Sequence, residues 1–102
     1  MSINHVDKIP LLPSARNNDD NRKIISDFFN KKIIENGNTL NKTTTVYLKI
    51  DTLGKAYVDK IYNDDSSIVL IISDNIKFLP TFIPAEHKGS KVGIMTSYSI
   101  YK

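Results

Sequence analysis

Apolar and polar positions alternate most cleanly from Thr43 to Asp51: Thr44, Val46, Leu48 and Ile50 share one face, and Thr45, Tyr47 and Lys49 the other. A period of two over this length predicts a half-buried strand. Asp51-Thr52-Leu53-Gly54 reads as a turn, since the aspartate can accept local N–H bonds and the glycine can take positive φ. Lys55 to Asn63 returns as a second strand, with Ala56, Val58 and Tyr62 on one face and Tyr57, Asp59 and Ile61 on the other. A last strand is predicted over Lys91 to Tyr101, with Val92, Ile94, Thr96, Tyr98 and Ile100 on one side.

Helical spacing appears twice. Ile25, Phe28, Phe29 and Lys32-Ile33 recur at intervals that place them on one face of a helix from about Asp20 to Asn36. Asp19 or Asp20 is suited to cap it, and Gly37 to stop it. Ser66 to Leu79 is ambiguous. Ile68-Val69-Leu70-Ile71-Ile72 has the propensity of a buried strand, yet Asp64-Asp65-Ser66-Ser67 is N-cap chemistry and Ile68, Ile72, Ile76 and Leu79 fall at helical spacing. Helix is the favoured reading, ended by Pro80. Phe82, Ile83 and Pro84 read as an apolar loop, and His87-Lys88-Gly89-Ser90 as a surface turn. The first 19 residues read as an extended arm. Pro10 and Pro13 turn the residues before them away from helix, and Val6, Ile9, Leu11 and Leu12 suggest that the arm, which precedes a domain of residues 20–102, packs on something and is not a free tail.

The expected fold is therefore α+β, with elements in the order α-β-β-α-β after the arm. With 102 residues, there is material for one domain. The net charge of +3 comes from scattered lysines, and a solvated surface explains it better than nucleic-acid binding. The absence of cysteine excludes disulfides and thiolate metal sites. No window approaches the roughly 18 apolar residues that a membrane-spanning helix needs. MSINHVDKIP also lacks a signal-peptide core, so the chain is cytoplasmic or has lost a targeting or anchoring segment.

Catalysis finds little support. His5 and His87 have no neighbours at metal-ligand spacing. Asp19-Asp20 and Asp64-Asp65 each precede a predicted helix, where capping explains them more simply than paired-carboxylate chemistry. The four glycines are isolated, and Ser14, Ser90 and Ser97 lack a nucleophile-elbow context. Tyr47, Tyr57, Tyr62, Tyr98 and Tyr101 all fall in predicted strands. Tyrosines on a sheet can stack single-stranded bases. Without interleaved arginine, cross-strand packing is the simpler role. No enzyme, cofactor or metal is expected.

Three stretches in order, VDKIPLLPSA (Val6 to Ala15), VYLKIDTLGKAYVDKIYN (Val46 to Asn63) and LPTFIPAEHKGSKVGIMTSYSI (Leu79 to Ile100), give a resemblance. Together they resemble the C-terminal domain of TonB, the energy transducer of Gram-negative bacteria, in its Bacteroidetes-type form. The resemblance covers nearly the whole chain. It departs at Ser14-Ala15, where a glycine is commoner, and in the lack of a Tyr-Pro pair after the first helix. It implies helix for Ser66 to Leu79 and a TonB/TolA-like C-terminal fold, a three-stranded antiparallel sheet with two helices packed on one face. It also implies a periplasmic module whose final strand lies at a sheet edge and receives the TonB box, a short peptide of an outer-membrane transporter, by strand addition. The implied partner-binding residues are Lys91, Val92, Gly93, Ile94, Met95, Thr96, Ser97, Tyr98, Ser99, Ile100 and Tyr101, acting mainly through main-chain groups. Attachment to the inner membrane would need an anchor outside this chain. An open edge would also allow homodimers. If Met1 is the native start, the alternative is a stand-alone adaptor or immunity-type protein on the same fold, working in the cytoplasm.

Overall fold

The computed structural model describes residues 2–102. Its first helix, α1, runs Asn18–Glu35 and begins two residues before the predicted Asp20. Asn17 is the cap, not Asp19 or Asp20, because its Oδ1 stands where it accepts the Asp20 N–H at 2.8 Å. The two aspartates occupy the first turn, where their charge favours the positive helix end. Asp20 also accepts the Arg16 N–H at 2.9 Å, and this bond, the largest cause, holds its carboxyl below the usual range. At the other end Asn36 caps and Gly37 turns away at φ +78°.

The strands β1, Thr44–Ile50, and β2, Ala56–Tyr62, form the predicted hairpin. The Asp51 carboxylate accepts the N–H groups of Leu53 and Lys55, both at 2.9 Å, and Gly54 sits at φ +83°. The faces of β1 are as predicted, with Thr44, Val46, Leu48 and Ile50 buried. Those of β2 are not. A bulge opposite Tyr47/Leu48 inserts an extra residue at Asp59, so alternation slips by one beyond it. Ile61, not Tyr62, therefore turns toward the core, and Tyr62 meets the Tyr47 ring edge-on at 5.5 Å.

Residues Ser66–Asn75 form α2, capped by the Asp65 carboxylate on the Ser67 N–H at 2.9 Å. The β-branched run is helical because Ile68, Ile71 and Ile72 all find burial there. The predicted helix to Leu79 is shorter. It tightens into a 3-10 turn at Ile76–Phe78, and the chain leaves it extended at Leu79 before Pro80.

The predicted last strand is two strands. Ser90–Val92, β4, pairs with Ala85–His87, β3, while Ile94–Ile100, β5, pairs along its whole length with β1. Lys88 (φ +51°) and Gly89 (φ +80°) make the tight turn of the β3–β4 hairpin. The main sheet is antiparallel in the order β2-β1-β5. Both helices lie on one of its faces, where Ile25, Phe29 and Ile33 of α1 and Ile68 and Ile72 of α2 close over Val46, Leu48, Ile94, Tyr98 and Ile100. Among the described residues no helix is long and apolar enough to cross a membrane.

The arm is tied to this body. Asp7 and Lys8 donate to the Glu86 carbonyl at 2.9 and 3.0 Å, and Leu11 and Ile83 exchange backbone bonds at 3.2 and 2.7 Å. Leu12 is buried, with its N–H on Asn21 Oδ1 at 2.9 Å.

Candidate peptide-docking edge

Two strands border the sheet, and they differ in how open they are. β2 is broken by its bulge, carries Asp59 and Lys60, and has the Ile76–Phe78 turn against it. Such features blunt an edge. Along β5 the outward residues Met95, Ser97 and Ser99 are small or flexible and uncharged.

The hairpin fixes which main-chain groups of β5 are accessible. Asp51 donates its N–H to Lys55 O at 3.0 Å, so odd-numbered residues of β1 face β2 and even-numbered ones face β5. The register Ile50↔Ile94 to Thr44↔Ile100 then commits Ile94, Thr96, Tyr98 and Ile100 to bonds with β1. The N–H and C=O groups of Met95, Ser97 and Ser99 point away. Tyr101 agrees with this parity: its N–H reaches Ser26 Oγ of α1 at 2.9 Å, and its carbonyl accepts from Asn30 Nδ2 at 2.7 Å.

The edge is thus closed at one end by α1. At the other end Ser2 forms a parallel bridge to Met95. Between them no hydrogen bond from a described residue outside the sheet reaches the backbone of Ser97 or Ser99. Among the described residues, the main-chain polar groups of these two serines on that flank have no partner outside the sheet.

Of the residues expected at the site, the structure brings Ile94 to Ile100 into one strand. Lys91 and Val92 do not belong with them: they pair with Glu86 and Ala85, and Gly93 is where pairing passes from β3 to β1. Alternation by itself could not reveal that break, because Val92 keeps the parity of Ile94. Tyr101 lies beyond the strand with its backbone already held. Ile94, Tyr98 and Ile100 give their side chains to the core, so they can take part in docking only as scaffold. Tyr98 stacks on Phe82 at 6.4 Å, and burial pushes its hydroxyl up to about 12.

The sheet face away from the helices carries Tyr47, Tyr57, Tyr62 and Met95, each exposed. Lys55 and Lys60 lie over the Tyr57 and Tyr62 rings at 5.5 and 4.7 Å, and Lys49 pairs with Asp59 at 3.5 Å. A cavity of about 340 Å³ opens beside the edge, lined by Ser2, Ile3, Tyr47, Met95, Thr96 and Ser97. The sequence offered no signal for Ser2, Ile3, Ser26 or Asn30 at this place, because each arrives from a distant element. The two histidines lie apart from the edge, His5 in the 3-10 turn Ile3–His5 and His87 on β3, 3.6 Å from the Asp7 carboxylate.

A scan against protein-family models finds no match to this chain, and searches of curated proteins and of solved structures find none either.

Proposed function

We propose that the chain is a peptide-docking domain of a TonB-type energy transducer, working by binding and not by catalysis. It would act in the periplasm, taking the TonB box of an outer-membrane transporter onto β5. The observation that carries this reading is the open flank at Ser97 and Ser99, on an edge strand whose opposite flank is fully paired with β1. Main-chain bonds give affinity with little demand on peptide sequence, and alternate side chains of the peptide would lie over the Met95 and Tyr47 side of the sheet. Because the strands run alongside one another, a load along them shears several bonds together. The β2-β1-β5 order and the hairpin through Asp51 and Gly54 agree with the TonB resemblance read from the sequence.

The test is a titration with TonB-box peptides followed by backbone amide NMR. Shifts should centre on Met95 to Ser99. Shifts confined to another surface, or none at millimolar peptide, would refute the proposal.

A further inference from the structure

We propose that the segment Ser2–His5 is a built-in competitor for the docking edge, a regulation of the same site that rests on the strand-addition reading above. Ser2 has the extended backbone of a strand residue (φ −80°, ψ 149°) and bridges Met95, the first outward residue of β5. Ile3 follows half-buried and lines the cavity shared with Tyr47, Met95 and Ser97. Backbone and side chain of the arm thus occupy the Met95 end of the path that an added peptide strand would follow along β5.

The arm's attachment is uneven, and this makes the contact releasable. From Asp7 onward it is anchored by the bonds to Glu86 and Ile83, and the Lys88 N–H donates to the Asp7 carboxylate at 2.6 Å. Among the described residues before Val6 there are the bridge at Ser2 and the packing of Ile3, while Asn4 and His5 are exposed. Residues 2–5 can therefore swing away without disturbing residues 7–12. Tethering so close to the edge gives even a weak segment an effective concentration on the order of millimolar. An incoming peptide must win against it, and one that does would carry an aliphatic side chain where Ile3 lies.

The chain has no native cysteine, so a Ser2→Cys/Met95→Cys variant can form one disulfide, between two residues that are β-bridge neighbours. Titrated with a TonB-box peptide, the oxidised full-length variant should bind at least tenfold more weakly than the same protein after reduction. Ile3→Asp, which places a charge against Tyr47 and Met95, should bind about tenfold more tightly than the native chain if the edge is free a tenth of the time. Without peptide, the Met95 amide should exchange faster in Ile3→Asp than in the native protein. Equal affinity of the oxidised and reduced forms, or unchanged Met95 exchange, overturns the competitor while leaving the docking site standing. Failure of every form to bind sinks the docking reading, and the competitor falls with it.

Discussion

At Gly54 two demands meet. The residue sits at φ +83°, and a Cβ there would come within 1.8 Å of the Phe82 carbonyl oxygen. Its own carbonyl accepts the Phe82 N–H at 2.9 Å, so the hairpin turn is also the seat of the Phe82 loop. Gly37 has a similar φ, +78°, with nothing within 4 Å of its would-be Cβ. Gly37→Ala should therefore lose only the roughly 1–2 kcal/mol of left-handed strain, and Gly54→Ala clearly more, read as the difference in urea denaturation. Tyr98 makes a pH prediction. Its hydroxyl is raised from 10.0 to about 12 by burial, so the unfolded chain ionises first as pH rises. The stabilisation is complete below pH 10 and is lost as pH climbs toward 12, by roughly 2–3 kcal/mol in all. Native protein should lose more stability than Tyr98→Phe between pH 9.5 and 11.5, compared by chemical denaturation; equal slopes would contradict it.

Among the elements, α1 holds more than its own face of the core. Asn21 is fully buried, and its amide accepts from Leu12 N–H at 2.9 Å and donates to Pro10 O at 2.8 Å. One side chain thus satisfies two backbone groups of an arm that has no regular partner there. Asn21→Ala would leave both unmet, and the expected loss is about 2–4 kcal/mol. The measurement is a denaturation midpoint together with amide exchange at Leu12, which should speed up more than exchange in β1. The bulge in β2 is a second element-scale device. By turning Tyr62 outward and Ile61 inward, it keeps the core apolar and sets an aromatic pair on the open sheet face.

For the whole molecule, the decisive feature is parity along β5. The Thr96 N–H belongs to the β1 ladder, whereas the Ser97 N–H points to the open flank. Proline removes a donor, so Thr96→Pro should break the sheet at a cost of roughly 3 kcal/mol or more, while Ser97→Pro should fold with a much smaller loss. If β5 takes the TonB box as proposed, Ser97→Pro should nonetheless weaken that binding at least tenfold, because it removes one of the few available donors. A Ser97→Pro protein that binds as well as native would place docking elsewhere.

What the chain determined locally was its elements. The alternation of β1, the Asp51–Gly54 turn, the amphipathic face around Ile25 and Phe29, and the cap chemistry at Asp65 are each set by neighbours within a few residues. From these the α-β-β-α-β order followed, whereas the three-stranded antiparallel sheet with both helices on one face was implied by the TonB resemblance. Tertiary structure decided what depends on contacts between distant residues. The bulge at Asp59 reversed the faces of Ile61 and Tyr62, and Gly93 marks the hand-over from β3 to β1 within an unbroken alternation. The usable edge shrank to Ser97 and Ser99 because Ser2 arrives at Met95 and Ser26 and Asn30 arrive at Tyr101. Side-chain periodicity reports which face of a strand is buried, but it carries no information on which flank of its backbone another segment will reach.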